Sequence, residues 1–187
     1  MKSALFIDFE DSFSFNVIQK LQESGLNVRR LKWKEFKSIT SEDVLVLGPG
    51  PGHPDEYAEL FPLISKWLDS GKGFLGICLG HQIFWRIKGA LVERSQHPKH
   101  GQKINLKLTI EWQNYLGLPE STWVQRYNSL CVPLRNELTD SQIQNYVLGG
   151  EILISRGNKI LTYQFHPESE GTTYPQAFFT PVTRDLV

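Results

Sequence analysis

The chain has 187 residues, and its 20 basic and 20 acidic side chains leave no formal net charge. That length suffices for one domain with a sizeable core, while the charge balance argues against nucleic acid or an anionic membrane as the main partner. Two cysteines, Cys78 and Cys131, are too few for a disulfide framework and fit a reducing cytosol. The opening MKSALFIDFEDS has one lysine and a short apolar run before acids begin, unlike a secretory leader. No stretch approaches the roughly 20 apolar residues of a spanning helix. The expectation is a single cytoplasmic domain over residues 1–187.

In chain order, ALFIDF at residues 4–9 predicts a first strand. A helix follows, capped by Asp11 or Ser12, with Phe15, Ile18 and Leu21 along one face. Gly25 stops it, and LNVRRL supplies a second strand. Val44–Leu47 is an uninterrupted apolar run that breaks into the glycine-proline stretch GPGPGHP. A helix from about Glu56 to Leu68 ends in DSGKG, Phe74–Ile77 forms a fourth strand, and His81–Ile87 a further helix. Strands without a polar face, alternating with helices, predict an open, mostly parallel sheet covered on both faces. After Ala90 the texture changes. KINLKL, STWVQRY, QNYVLGG, EILISR and KILTYQF read as short strands of an antiparallel or mixed section. The fold class is therefore α/β, three-layered and flavodoxin-like, with extra antiparallel strands in the C-terminal half. Such sheets carry their sites at the carboxyl ends of the strands. That edge would hold GPGPGHP, the cysteine turn and the end of KILTYQFHPE.

Gly76-Ile77-Cys78-Leu79-Gly80 has the spacing of a nucleophile elbow with sulfur in place of a hydroxyl. A sharp strand-to-helix turn lifts the thiol clear of the sheet, and the helix N-terminus beneath it favours thiolate. Leu79 N–H, in the first helical turn, is a ready oxyanion donor. The bland alternative is a core cysteine between glycines present for close packing. Cys131, inside the apolar run NSLCVPL, reads as core.

A thiolate needs a base, and the base an orienter. His166 ends an apolar strand, and Glu168 lies two positions on, on the same side of an extended backbone. Pro167 biases the preceding residue away from helix. Glu168 could then bond the far imidazole nitrogen; a surface histidine with an unrelated acid nearby is the alternative. His81 reads as a capping or packing residue. His97 and His100 have poor spacing for zinc, and no metal is expected on this chain. In LGPGPGHP the prolines contribute no N–H, so the turn is stiff and its few donors are fixed. Gly50 N–H is the candidate second oxyanion donor, against a plain rigid turn.

The segments IDFEDSFSFNV, LGPGPGHPDE, GICLGHQ, HGQKI, VQRYNSL and YQFHPES, in this order, resemble the class I (triad) glutamine amidotransferases. The nearest resemblance is to the small subunit of anthranilate synthase and the glutaminase subunit of aminodeoxychorismate synthase. The resemblance implies Cys78 as nucleophile, His166 as general base and acid, Glu168 as orienting carboxylate, and Gly50 and Leu79 as backbone oxyanion donors. It further implies that Gln82 contacts bound glutamine and that Tyr127, Asn128 and Ser129 align its amino-acid end. No cofactor is implied on this chain. The implied partner is a chorismate-using synthase subunit, which would hold Mg2+ and receive ammonia shielded from water. Asn128 stands where the family usually has histidine, and DFEDSF replaces the commoner DNYDSF. Both changes fall where substrate positioning and partner contact are expected, and the tryptophan and folate branches stay open.

Overall fold

The structure is a computed structural model and describes residues 2–135 and 141–187. Among these, the strands run β1 Ser3–Asp8, β2 Asn27–Lys32, β3 Val44–Leu47, β4 Gly73–Ile77, β5 Glu93–Arg94, β6 Gln102–Lys107, β7 Ser121–Arg126, β8 Leu130–Cys131, β9 Gln144–Leu148, β10 Glu151–Gly157 and β11 Ile160–Tyr163. The α-helices are α1 Ser14–Glu23, α2 Phe61–Asp69, α3 Leu79–Ile87 and α4 Ile110–Leu116.

The main sheet has the order β2-β1-β3-β4-β11-β10-β9. Its first five members run parallel, and β10 and β9 extend it antiparallel. The mostly parallel α/β expectation therefore holds, with one refinement. KILTYQF supplies β11, which pairs parallel to β4 and closes the parallel set instead of standing apart from it. Alternation along the strands divides the core in two. Ala4, Phe6, Val44 and Val46 point to one face, where Val17 and Leu21 of α1 pack. Leu5, Ile7, Leu45 and Leu47 point to the other, under Ile64 and Trp67 of α2 and Ile83 and Phe84 of α3. Burial on both faces removes any polar face from these strands, which is why they read as plain apolar runs.

Three local details differ from the sequence reading. Phe15 is 65% exposed, and the buried face of α1 is Ser14, Val17 and Leu21. The helix begins later than its expected cap because Asp11 is spent in a turn, its Oδ1 accepting from Phe13 N–H at 2.8 Å. The helix expected from Glu56 is a 3-10 segment, Pro54–Leu60, that turns into α2 only at Phe61. Helix α4 falls between β6 and β7 and buries Trp112 and Leu116. The C-terminal residues return to the sheet with Phe178, Phe179, Val182 and Leu186 buried, and Tyr163 Oη donates to the Phe178 carbonyl at 2.8 Å.

Candidate active site

Three strand ends meet at the carboxyl edge of the sheet. β4 ends at Ile77, and Cys78 follows with φ 53° and ψ −100° before α3 begins. Such a backbone costs a non-glycine residue about 1–3 kcal/mol. It is held by Cys78 N–H donating to the Tyr163 carbonyl at 2.7 Å and by the Cys78 carbonyl accepting from Gln82 N–H at 3.1 Å. The flanking glycines are steric requirements. A Cβ at Gly76 would lie 2.7 Å from the Gly80 carbonyl oxygen, and one at Gly80 would strike the Leu47 carbonyl. Cys78 is left 8% exposed at the start of α3.

β11 ends at Tyr163, and His166 follows two residues after Gln164. Its backbone is clamped on both sides: its N–H donates to the Gln125 carbonyl at 2.9 Å, and its carbonyl accepts from Thr172 Oγ1 at 2.8 Å. His166 Nδ1 lies 2.7 Å from Glu168 Oε1. A carboxylate only accepts, so Nδ1 carries the proton in this pair. The Phe13 and Tyr127 rings flank the imidazole, with centroids 4.9 Å and 5.1 Å away. Burial opposes charge on this ring. The Cys78 sulfur and then the Glu168 carboxylate, by charge and by hydrogen bonding, outweigh it and hold His166 well above the usual histidine range.

β3 delivers the glycine-proline loop. A Cβ at Gly50 would lie 2.5 Å from both Leu79 Cδ2 and Phe9 Cβ, so this close approach to the elbow requires glycine. The loop is pinned by Tyr57 Oη donating to the Pro51 carbonyl at 3.0 Å and by His53 N–H donating to Glu56 Oε1 at 2.6 Å. A cleft of about 420 Å³ opens here, lined among others by Gly50, Cys78, Gln82 and Tyr127 to Ser129. A larger cavity, about 600 Å³, lies beside Tyr115 and Arg156 and touches none of these residues.

The candidates are not alike within the cleft. Tyr127 is half-buried and Ser129 exposed. Asn128 is buried; its Oδ1 accepts from Arg126 Nε at 2.9 Å and its Nδ2 donates to the Leu130 carbonyl at 2.9 Å. Gln82 is also buried, with Nε2 donating to the Leu130 carbonyl and to Gln164 Oε1, both at 3.1 Å. His81 packs in the core with Nδ1 2.8 Å from Thr162 Oγ1. Cys131 is buried against Glu93 of β5, and burial, then the charge of Glu151, pushes its thiol up to about 12. Among the described residues no group of three or more His, Cys, Asp or Glu could hold a metal ion, and no helix is long and apolar enough to cross a membrane.

Comparison with known proteins decides the family. The model of the class I glutamine amidotransferases matches residues 5–183. The chain belongs to this family. It is 34% identical over 176 residues to anthranilate synthase component 2 of Azospirillum brasilense, covering 88% of this chain and 87% of that one. To the protein of the same name in Vibrio parahaemolyticus it is 30% identical, over 93% and 91% of the two chains. The fold matches a glutamine amidotransferase of Thermotoga maritima with a TM-score of 0.72 at 19% identity, covering 89% and 76%. The chain is thus an amidotransferase of a catalytic family, with glutamine as the nitrogen source.

Sequence reasoning about this amidotransferase overlooked Gln164, whose Nε2 is 3.9 Å from Cys78 Sγ. The signal was present, since Gln164, His166 and Glu168 are spaced by two and the rule that paired the last two extends back to the first. Gln125 and Thr172, which clamp His166, carry no local signal because they lie in other segments.

Proposed function

We propose that this chain is a glutaminase subunit that works through Cys78, His166 and Glu168 and passes ammonia to a chorismate-using synthase, most closely an anthranilate synthase. His166, oriented through Nδ1 by Glu168, accepts the thiol proton at Nε2. The sulfur attacks the carboxamide carbon of glutamine. Charge on the carbonyl oxygen is met by the Leu79 and Gly50 N–H groups, each such donor contributing roughly 2.7–4 kcal/mol in related acyl transfers. The carbon–nitrogen bond breaks as His166 returns its proton to nitrogen, and ammonia leaves a glutamyl thioester. Water then gives a proton to His166 and its oxygen to the carbon, the carbon–sulfur bond breaks, and glutamate departs. Ammonia must reach its acceptor unprotonated, because ammonium is no nucleophile. A partner covering the strand ends would meet that need.

The observation that carries the triad is the Nδ1–Glu168 bond at 2.7 Å on a buried ring whose charged form the Cys78 sulfur favours. The synthase assignment is supported by the names of the relatives. The test is Cys78→Ser assayed with the copurified synthase, chorismate and Mg2+. Glutamine-dependent product should fall roughly a thousandfold or more, while added ammonia sustains the wild-type rate. Retained glutamine-dependent turnover overturns the triad, and aminodeoxychorismate as product would move the chain to the folate branch.

A further inference from the structure

Resting on the assignment of Cys78 as nucleophile, we propose that Gln164 is a further catalytic residue that donates N–H to the sulfur, and that Gln82 is the positioning residue that fixes which end of the Gln164 amide faces it. A primary amide can present either its oxygen or its nitrogen. An oxygen beside the sulfur would repel a thiolate and a nitrogen would stabilise it, so the orientation decides the effect.

That orientation is set by groups whose polarity cannot be reversed. The Leu130 carbonyl only accepts, and it receives Gln82 Nε2 at 3.1 Å. The Gln82 NH2 is thereby fixed, and its contact with Gln164 at 3.1 Å is a donation to Oε1. Gln164 Nε2 is left toward Cys78 Sγ at 3.9 Å. A second anchor reaches the same carbonyl. Arg126 can only donate, and its Nε at 2.9 Å assigns Oδ1 of Asn128 to that contact, so Nδ2 is the atom that meets the Leu130 carbonyl. Arg126 is itself held by Glu151, Nη2 to Oε2 at 2.5 Å, and Glu151 by Ser95 Oγ. Directed hydrogen bonds therefore lead from a buried ion pair to the Leu130 carbonyl and on to the nucleophile. Gln164 is fully buried and lies outside the residues lining the cleft, so it acts on the sulfur and not on bound glutamine. Asn128 finds a role in this network, where its amide links Arg126 to Leu130.

The test is alkylation of Cys78 by iodoacetamide across pH in the full chain, with glutamine kinetics beside it. Gln164→Met removes the donor without adding charge. At neutral pH it should slow alkylation about tenfold, the size of one charge-assisted hydrogen bond, with rates converging on wild type in strong alkali. Its kcat should fall while KM holds. Gln164→Glu should slow neutral alkylation further, and Gln82→Met should do so less, in the same direction. Should a buried carboxylate unfold Gln164→Glu, the two methionine variants decide. Wild-type alkylation profiles in both would overturn the proposal, as would a loss equal at all pH values, which a merely structural role would give. Failure of the nucleophile assignment is separate, since it appears as turnover in Cys78→Ser, whereas alkylation reports on the donor in either case.

Discussion

Two histidines of this amidotransferase are buried alike and treated in opposite ways. His81 lies three residues after the candidate nucleophile, on α3, and burial, with help from the charge of Arg126, pulls it down to about 3. His166 lies far along the chain, is 2% exposed, and stays well above the ordinary range despite the same burial, because the Cys78 sulfur and the Glu168 carboxylate face it. Burial alone silences an imidazole. Burial with a facing sulfur and a facing carboxylate gives a ring that holds a proton in a closed site and can release it to a leaving group.

The sharpest way to break this comparison is to remove each ring in turn. His166→Asn should lower glutamine turnover by about a thousandfold or more, the scale of a lost general base and acid. His81→Asn should leave kcat within a few-fold, roughly, and show its effect in the melting temperature. Steady-state glutaminase assays on both variants, with thermal melts alongside, distinguish them. Equal losses of turnover in two equally stable variants would erase the distinction.

The difference between the two histidines was partly legible in the sequence. His166 and Glu168 announce themselves by extended spacing at the end of an apolar run, and Gly76 and Gly80 frame Cys78 because the elbow admits no Cβ there. The interior strands β1, β3 and β4 were legible for an equally local reason: burial on both faces makes each a nearly unbroken apolar run. What stayed hidden is non-local. The clamp on His166 joins it to Gln125 and Thr172, and the support for Asn128 comes from Glu151 through Arg126, and no periodicity within one segment encodes such pairings. Helix α4 has only seven residues, too few turns to display a repeating face. Phe15 misled for the opposite reason, since it is large and apolar yet turns outward under the Arg30 guanidinium, 4.9 Å from its ring centroid.

A smaller effect sharpens the account of His166 itself. Glu168→Gln removes the carboxylate while keeping a group of the same shape, and turnover should fall about a hundredfold, less than for loss of the ring. The proton count should move with it. Followed by NMR of the ring protons, the His166 titration should occur at lower pH in Glu168→Gln and in Cys78→Ser than in wild type, because each substitution removes a group that supports the charged ring. An unmoved titration in either variant would remove that group from the support of the ring.

The mildest prediction concerns His81 and acid. Its folded form holds the neutral ring down to about 3, whereas an unfolded chain protonates near pH 6.5. Its contribution is therefore complete above about pH 6.5 and is lost as pH falls toward 3, at about 1.4 kcal/mol per pH unit. Glu42, which Arg29 chiefly holds down at about 2, adds to acid loss only below the ordinary carboxylate range, roughly pH 4.5. The window from about pH 6.5 to 4.5 thus isolates the histidine. Urea unfolding across it should show wild type losing about 3 kcal/mol more than His81→Gln, which keeps a polar group of similar size near Thr162. Parallel stability curves for the two proteins would mean that His81 accepts a proton without unfolding the core, and its contrast with His166 would then be one of geometry alone.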